Sequence, residues 1–481
     1  MNVAPAAHSF HRSAARSVAR VAKIVGASVS LVFIAACASY QPRPLTDRPD
    51  LARSVAALEV DSGTLDVPGL KGESIDTRNG LDITDIAVLA VLNNPTLKAS
   101  RLQRGERRAQ LLQAGLLPDP TLDLSLDHPT AGSDSLNAYT LGVSEDISAL
   151  RTRGAKRARA AARVRQVDLR VLWEEWQVAE RARELFVQAR TQQSLLATYE
   201  AARKLDSERY ERDHAALARG DITSIASAND LVALVDTDTR LRRLQRDEAK
   251  THHALHALLG LEPGVELPLS GEATSVIPCR DGLDRAIGEL PGRRPDLIAL
   301  QAGYQSQEAA VRQAVLEQFP TIGVGVTRAR DTGGVATIGL GLSISLPLFD
   351  RNRGHIAIER ATRGRLRQAY QARLDEAAGE ADEVWDRAGL LKRQLDAVKA
   401  RIPELTRVAS GAERELEVGE LDTATYVNVR EQLLAKQAEA IQLEGELEQA
   451  RIALETLLAL RPGPEGHPCE AGSQTSAIGA G

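Results

Sequence analysis

Three histidines near the end of a predicted helix have the clearest potential for metal chemistry. His252 and His256 lie four residues apart, with His253 between them, so two imidazoles would share one face of a helix at a spacing that can hold a metal. A pair of this kind without a third ligand is more often part of a packed or solvated face. The single methionine leaves no set of thioethers for copper(I). We therefore expect no metal site and no cofactor.

Cys37 is the residue for which the sequence predicts a covalent modification. It follows a basic segment from Arg12 to Lys23 and an apolar segment, residues 24–36, that is too short for a stable helical span. The apolar segment ends in Ile-Ala-Ala-Cys, which looks like a bacterial lipobox. Residues 1–36 are therefore predicted to be a lipoprotein signal peptide, and Cys37 is predicted to be lipidated. Ala38 follows in place of the aspartate that would favour retention at the inner membrane, so the anchor is expected in the outer membrane, where acyl chains provide a firm tether.

Two further cysteines, Cys279 and Cys469, would lie in an oxidising compartment. A disulfide between them, two unpaired thiols and an intermolecular bridge all remain open.

Composition and motifs exclude several classes of protein. The chain has 481 residues, of which only 3% are aromatic, and a formal net charge of −5 that becomes more acidic once the basic leader is removed. An acidic chain of this kind is a poor candidate for binding nucleic acid. The sequence contains no Gly-rich phosphate loop and no nucleophile elbow, so no catalytic residues and no enzyme are predicted.

The chain repeats itself at an offset of 199 to 200 residues, which indicates a tandem duplication. Matching segments occur in the same order in both halves. They are 94–97 and 294–297, 120–124 and 320–324, 141–144 and 340–343, 153–154 and 353–354, 220–222 and 419–421, and 258–264 and 457–463.

Each repeat contains two stretches that alternate between apolar and small or polar residues. The clearest is Thr337–Leu348, TIGLGLSISLPL, whose period of two predicts a strand long enough to cross a bilayer when tilted. The sequence therefore predicts one β-hairpin per repeat, at 119–148 and at 319–349, and four membrane strands per chain.

A very long helix follows each hairpin. Residues 156–219 contain neither Pro nor Gly, which predicts a helix of roughly 95 Å, and a second helix returns over 223–259. Seven-residue spacing of Val171, Val178 and Leu185 predicts a coiled coil. The predicted organisation is a signal peptide (1–36), an extended segment (37–80), a first repeat (81–277), a second repeat (278–462) and a disordered tail (463–481).

Four strands cannot close a barrel, and strands that cross a membrane need partners on both edges. The hairpins must therefore be pooled between chains. Two chains would supply eight strands and a filled lumen, whereas three would supply twelve and an opening. The small residues of Thr337–Leu348 suit an open pore.

The duplicated pattern resembles the TolC-type outer-membrane efflux proteins, and in particular their lipid-anchored, pump-associated branch. The resemblance covers residues 81–462 and is most specific in Leu346–Gly354, LPLFDRNRG. It implies a fold of α plus transmembrane β structure, in which a homotrimer forms a 12-stranded β-barrel continued by an α-helical barrel in the periplasm. A periplasmic adaptor and an inner-membrane pump are the implied partners, together with outer-membrane lipid. The implied docking tip contains the turns at Gly220-Asp221 and Gly419-Glu420.

The resemblance also implies a constriction on the returning helix of the second repeat. The matching positions fall on Thr425 and Asn428, which are uncharged where well-known members carry acids, so an acidic gate at those positions is not expected. Asp422, just before them, is the acidic candidate for the constriction, and Glu415, Glu417 and Glu420 lie nearby. Ordinary solvated helix ends are the alternative.

A basic run, Arg151, Arg153, Lys156, Arg157 and Arg159, follows the first hairpin. It is expected at the junction between membrane and tunnel, with the lumen and a solvated helix start as alternatives.

Two other functions remain beside pump-associated export of small molecules. One is a type I secretion exit duct, which the lipobox disfavours. The other is a non-conducting lipoprotein coiled-coil scaffold, which would have no use for membrane-length strands.

Overall fold

The computed structural model describes residues 40–75, 80–131, 136–271 and 277–460. The chain divides into two compact units, one ending at Asp50 and one beginning at Leu51. In the first unit, residues 40–50 form no helix or strand. Residues 1–36, Cys37, Cys469 and the tail predicted over 463–481 lie outside the described residues.

The segment 51–75, predicted to be extended, is a packed strap with two short 3₁₀ helices, Val55–Ala57 and Ser62–Thr64. Its apolar side chains Leu65, Val67 and Leu70 are buried. Single parallel bridges join Ala52 to Leu261 and Leu81 to Leu269.

Each repeat begins with a short helix followed by a longer one. These helices are α1 (Ile83–Asn93), α2 (Pro95–Gly115), α5 (Arg280–Arg293) and α6 (Pro295–Leu316). Asp82 starts α1 with a capping box, in which its carboxylate accepts hydrogen bonds from the N–H groups of Thr84 and Asp85. Pro95 and Pro295 stand in the first turns of α2 and α6, where a missing N–H costs nothing.

The four predicted strands form one antiparallel sheet. They are β1 (Thr121–Asp127), β2 (Ala138–Asp146), β3 (Ile322–Arg330) and β4 (Ala336–Ile344), in the order β1-β2-β3-β4. The prediction that the last strand reaches Leu348 is wrong. Ser345 still donates to the carbonyl of Thr321 (3.1 Å), but Pro347 has no N–H to continue the ladder.

Two long helical hairpins complete the repeats. They are α3 (Ser148–Arg219) with α4 (Ser224–Leu259), and α7 (Arg353–Glu417) with α8 (Thr423–Leu457). The first long helix starts eight residues earlier than its predicted beginning at Lys156, because Gly154 is accommodated inside it. Its 72 residues span about 108 Å. None of the helices in the described ranges has both the length and the apolar character needed to cross a bilayer.

The heptad positions predicted for α3 lie in the core, with Val171 and Leu185 buried and Val178 half-buried against them. The seven-residue spacing of Leu433, Ala440, Leu447 and Leu454 in α8, also read from the sequence, marks a row of buried side chains. The helices lie side by side in the order α4-α3-α8-α7, with α6 packed on both α3 and α7. The core therefore joins helices from both repeats.

Candidate functional site: the membrane sheet and the helical tip

One face of the sheet is apolar and exposed. Directly opposed residues of an antiparallel pair project to the same face, so the register assigns every side chain to one face or the other. The exposed apolar residues of this face are Leu122, Leu124, Leu126, Leu141, Val143, Val324, Val326, Ile338, Leu340, Leu342 and Ile344. A face of this size and chemistry without protein cover is typical of a surface that contacts lipid.

Charged residues flank the apolar face on both sides. The row Leu122, Val143, Val326 and Leu340 is apolar on all four strands. Towards the hairpin turn at 331–335, Arg328 and Arg330 share this face, and at the other end Glu145 lies opposite Val324. Long arginine side chains can extend to the interface from such positions. The all-apolar row therefore lies at the centre of the band.

The opposite face carries small and polar side chains. Its residues are Thr121, Asp123, Ser125, Asp127, Thr140, Gly142, Ser144, Gly323, Gly325, Thr327, Thr337, Gly339, Gly341 and Ser343. Hydroxyl pairs link neighbouring strands at the helix-proximal end, Thr121 to Ser144 at 2.7 Å and Thr321 to Ser345 at 2.6 Å. These side chains suit a wall that faces water.

The outer strands of the sheet and the outer helices of the helical layer each have an open side. Within the described part of the chain, strands β1 and β4 each pair with one strand only. In the helical layer, α4 and α7 are the outermost helices and carry exposed apolar side chains, such as Ile225 and Val232 on α4 and Ile358 and Val408 on α7. An unpaired strand edge is a template for pairing with another chain.

Buried ion pairs fix the two repeats against each other. Arg183 of α3 contacts Glu455 of α8 at 2.7 Å, and Arg451 also pairs with Glu455. Arg294 is completely buried, bonds Asp296 at 2.8 Å and lies over the ring of Trp173 at 4.7 Å. Breaking a buried pair of this kind is costly because the remaining charge stays desolvated.

The predicted tip turns end the long helices as expected. Gly220 (φ 80°) caps α3 in the left-handed conformation, and Gly419 (φ 79°) follows α7 in the same conformation. A side chain at either glycine would meet nothing within 4 Å. Asp221 accepts a bond from Arg219 (2.8 Å), and the N–H of Glu420 donates to the carbonyl of Glu415 (2.8 Å). Both turns are exposed, and adaptor docking there stays a prediction.

The three constriction candidates lie together at the start of α8. The carboxylate of Asp422 caps the helix by accepting bonds from the N–H of Thr425 (3.0 Å) and from its hydroxyl (2.6 Å). The hydroxyl bond with Thr425 lowers the pKa of Asp422 below its ordinary value. Thr425 and Asn428 are exposed, as are Glu415, Glu417 and Glu420. Their role in constriction stays a prediction.

An acid-rich cluster behind the tip was not expected from the sequence. Arg209 of α3 contacts Asp230 of α4 at 2.9 Å and Glu431 of α8 at 3.2 Å. Burial, reinforced by a hydrogen bond with Asp206, raises the pKa of Glu431 to about 7. Burial, reinforced by Asp213, raises that of Asp230 to about 6. Arg209 therefore links α3, α4 and α8, and both carboxyl groups that it contacts have a raised pKa.

The histidines do not form a site of their own. His256 is buried and its Nε2 lies 2.8 Å from the carbonyl oxygen of Val265, while burial lowers its pKa. His253 is exposed. Across the residues described by the structure, no group of three His, Cys, Asp or Glu side chains is arranged to hold a metal ion. Cys279 is the N-cap residue of α5. Because Cys469 is not described, the pairing of the two cysteines stays a prediction.

The fold is that of outer-membrane channels. The Campylobacter jejuni CmeC outer membrane channel superposes with a TM-score of 0.66 at 15% identity, covering 86% of this chain and 94% of that one. The outer membrane protein VceC of Vibrio cholerae gives 0.64 at 17% identity, covering 78% and 95%. The open state of the Neisseria gonorrhoeae MtrE outer membrane channel gives 0.60 at 12% identity, covering 88% and 98%.

Part of the sequence also matches a protein-family model. Residues 286–460, most of the second repeat, match the family model described as outer membrane efflux protein. No curated protein matches the sequence. The resemblance to the TolC-type outer-membrane efflux proteins expected from the sequence is thereby confirmed.

Proposed function

We propose that the chain is the outer-membrane channel of a tripartite efflux system, a passive exit duct for small molecules delivered by an inner-membrane pump. Three chains would join their sheets into a 12-stranded β-barrel, and their long helices would form a tunnel through the periplasm. A lipid on Cys37 would hold each chain in the outer membrane.

The observation that carries this proposal is the two-faced sheet. A non-conducting scaffold has no reason to present an uncovered apolar face backed by a face of glycine, serine and threonine. The open edges of β1 and β4 support pooling of strands, because backbone groups left unpaired in hydrocarbon cost several kcal/mol each. With about 72 and 65 residues in the two long helices, the tunnel would reach about 100 Å from the sheet.

The docking site for a periplasmic adaptor is proposed at the turns of Gly220-Asp221 and Gly419-Glu420. These turns lie at the ends of the helices far from the sheet, and their glycines face open space. The alternative cargo, a secreted polypeptide, fits the same duct. The predicted lipobox favours pump-associated export of small molecules.

Cysteine cross-linking between the outer strands tests the arrangement. Chains carrying Ser125→Cys in β1 and Ser343→Cys in β4 are oxidised in the outer membrane and run without reductant. Covalent species of up to three chains are expected, with none larger. A control pair, Ser125→Cys with Thr140→Cys, places both cysteines within one chain at opposed positions. If the cysteines at the two edges link no chains, or if cross-linked species of more than three chains appear, the proposed trimer is wrong.

A further inference from the structure

A cavity of about 560 Å³ lies among α2, α3 and α6, near their sheet-proximal ends. Its walls carry the side chains of Arg107 from α2 and of Lys156, Arg159 and Arg163 from α3. Lys156 comes eight residues after the first residue of α3, about 12 Å along the helix from the end of the sheet. Lys156 and Arg163 are exposed and the other two side chains are half-buried, so the cavity is open to solvent. We refer to it as the basic cavity.

Within the ranges that the structure describes, three of the four cations of the basic cavity have no protein partner, unlike Arg151 and Arg153 at the start of the same helix. Arg157 and Arg165, outside the lining, have none in those ranges either. Arg153 donates to the carbonyl of Gly115 at 2.8 Å, and Arg151 donates to the carbonyls of Phe319 and Pro320, so both secure neighbouring elements. Among the described residues, Lys156, Arg159 and Arg163 make no ion pair and no side-chain hydrogen bond.

Of the residues that the structure describes, those lining the basic cavity include no carboxylate. Arg107 is the exception among the four cations, because it donates a hydrogen bond to the lining residue Gln110 at 2.7 Å and its Nη1 lies 3.8 Å from the carboxylate of Glu106. Burial and the charges of Arg159 and Arg107 lower the pKa of Arg163, and the charge of Glu359 opposes them with the smallest effect. Packing between α3 and α6 keeps the charges together, since the hydroxyl of Ser306 donates to the carbonyl of Arg159 at 3.1 Å.

Three neighbouring cations without a paired carboxylate are the arrangement of a site that receives its counter-charge from a ligand. Guanidinium groups offer paired N–H donors that match phosphate oxygens, and a lysine adds a point charge. Gln113, which also lines the cavity, brings an amide group that can donate to the same oxygens. The amide of Gln313 already donates one hydrogen bond to Glu317, at 2.8 Å, and has one N–H left. We propose that the basic cavity binds a phosphate-bearing anion.

Two sources could supply that anion: the headgroup of a membrane phospholipid, or a soluble phosphate compound. Calorimetric titration of the full-length protein in a non-ionic detergent separates them. One titration uses inorganic phosphate and the other a short-chain phosphatidic acid, with chloride as the reference anion. Saturable binding of at least one phosphate probe is expected, and the stronger of the two identifies the source.

The test variant is Arg159→Gln combined with Arg163→Gln. The matched control is Arg157→Gln combined with Arg165→Gln, which removes the same charge from positions of the same helix that lie outside the lining. The test pair should weaken phosphate binding at least about tenfold, and the control pair less than about twofold.

Thermal unfolding gives a second readout that a diffuse charge effect would not produce. Without phosphate, the test pair should unfold at a higher temperature than the wild type, because repulsion within the cavity is relieved. Phosphate should stabilise the wild type and the control but not the test pair. Failure of the wild type to bind either probe, or equal weakening by both pairs, would overturn the proposal.

Discussion

Leu340→Arg tests which face of the sheet meets the membrane. Leu340 lies in the row that is apolar on all four strands, and 89% of its surface is exposed. It is the fifth of nine residues in β4, so it lies at the middle of a strand about 31 Å long. Tilted as membrane strands are, such a strand covers about 23 Å of height, close to the apolar band of known barrels.

The expected cost follows from this depth. An arginine facing lipid at the midplane destabilises a barrel by about 2–4 kcal/mol per chain, or about 6–12 kcal/mol for a trimer. Ser343→Arg is the control, because Ser343 lies three residues along β4 on the small polar face, opposite Gly323. It should change stability by less than about 1 kcal/mol and should alter conductance, since its charge would enter the lumen.

Urea unfolding of trimers folded into lipid vesicles measures both effects. The unfolding midpoint should fall sharply for Leu340→Arg and remain close to the wild type for Ser343→Arg. Equal losses in the two variants, or the larger loss in Ser343→Arg, would refute the assignment of faces.

Three further predictions concern the helices. Gly220→Trp should abolish pump-dependent drug resistance while trimers remain in the membrane, whereas Gly264→Trp, with a similar positive φ and equally open space, should not. Burial holds the pKa of Glu431 at about 7, above its ordinary 4.5, so stability should fall as the pH rises through this interval. Glu431→Gln should reduce that slope in melting curves, leaving the part that Asp230 contributes below about pH 6. Gly445→Ala should cost about 1–3 kcal/mol in denaturant unfolding, because the new methyl group would clash with Thr191, and Thr191→Ala should restore most of it.

For each of these three predictions, a different result would contradict it. Both Trp variants strain a left-handed turn by about 1–2 kcal/mol, so loss of trimers in Gly220→Trp alone would mean that the turn serves assembly rather than docking. An unchanged pH slope in Glu431→Gln, matching that of the exposed control Glu439→Gln, would remove Glu431 from the pH dependence. Gly379→Ala, a helical glycine with open space around it, should stabilise the protein by about 0.5–1 kcal/mol; if Gly445→Ala does the same, α3 and α8 are not in close contact at that point.

The sheet could be predicted from the sequence because the alternation that defines each strand involves only neighbouring residues. Alternation with a period of two assigns Leu340 and Leu342 to one face and Gly341 and Ser343 to the other, and the observed register preserves that assignment. The end of β4 was harder to locate, because Pro347 interrupts the hydrogen-bond ladder without interrupting the alternation.

The short helices α1 and α5 were not predicted from the sequence. Their signals were present in the capping pair Asp82 and Asp85, and in the prolines Pro95 and Pro295 that start the next helices. The long helices gave a stronger periodic signal because their seven-residue repeat extends over many turns.

The cluster around Arg209 depends on distance in space rather than in sequence. Asp230 and Glu431 are separated from Arg209 by 21 and 222 residues, and only the relative register of three helices brings them together. Only part of the basic cavity could be predicted from the sequence. The run beginning at Arg151 stands out in the sequence, but Arg151 and Arg153 make structural bonds, while Arg107 joins from another helix.

Current through a planar lipid bilayer tests the central claim most directly. Purified protein that elutes as a trimer should insert and give uniform steps of ion current, and Ser343→Arg should shift their size. Monomeric protein, or trimers that insert without passing current, would contradict the account of an open duct built from pooled strands.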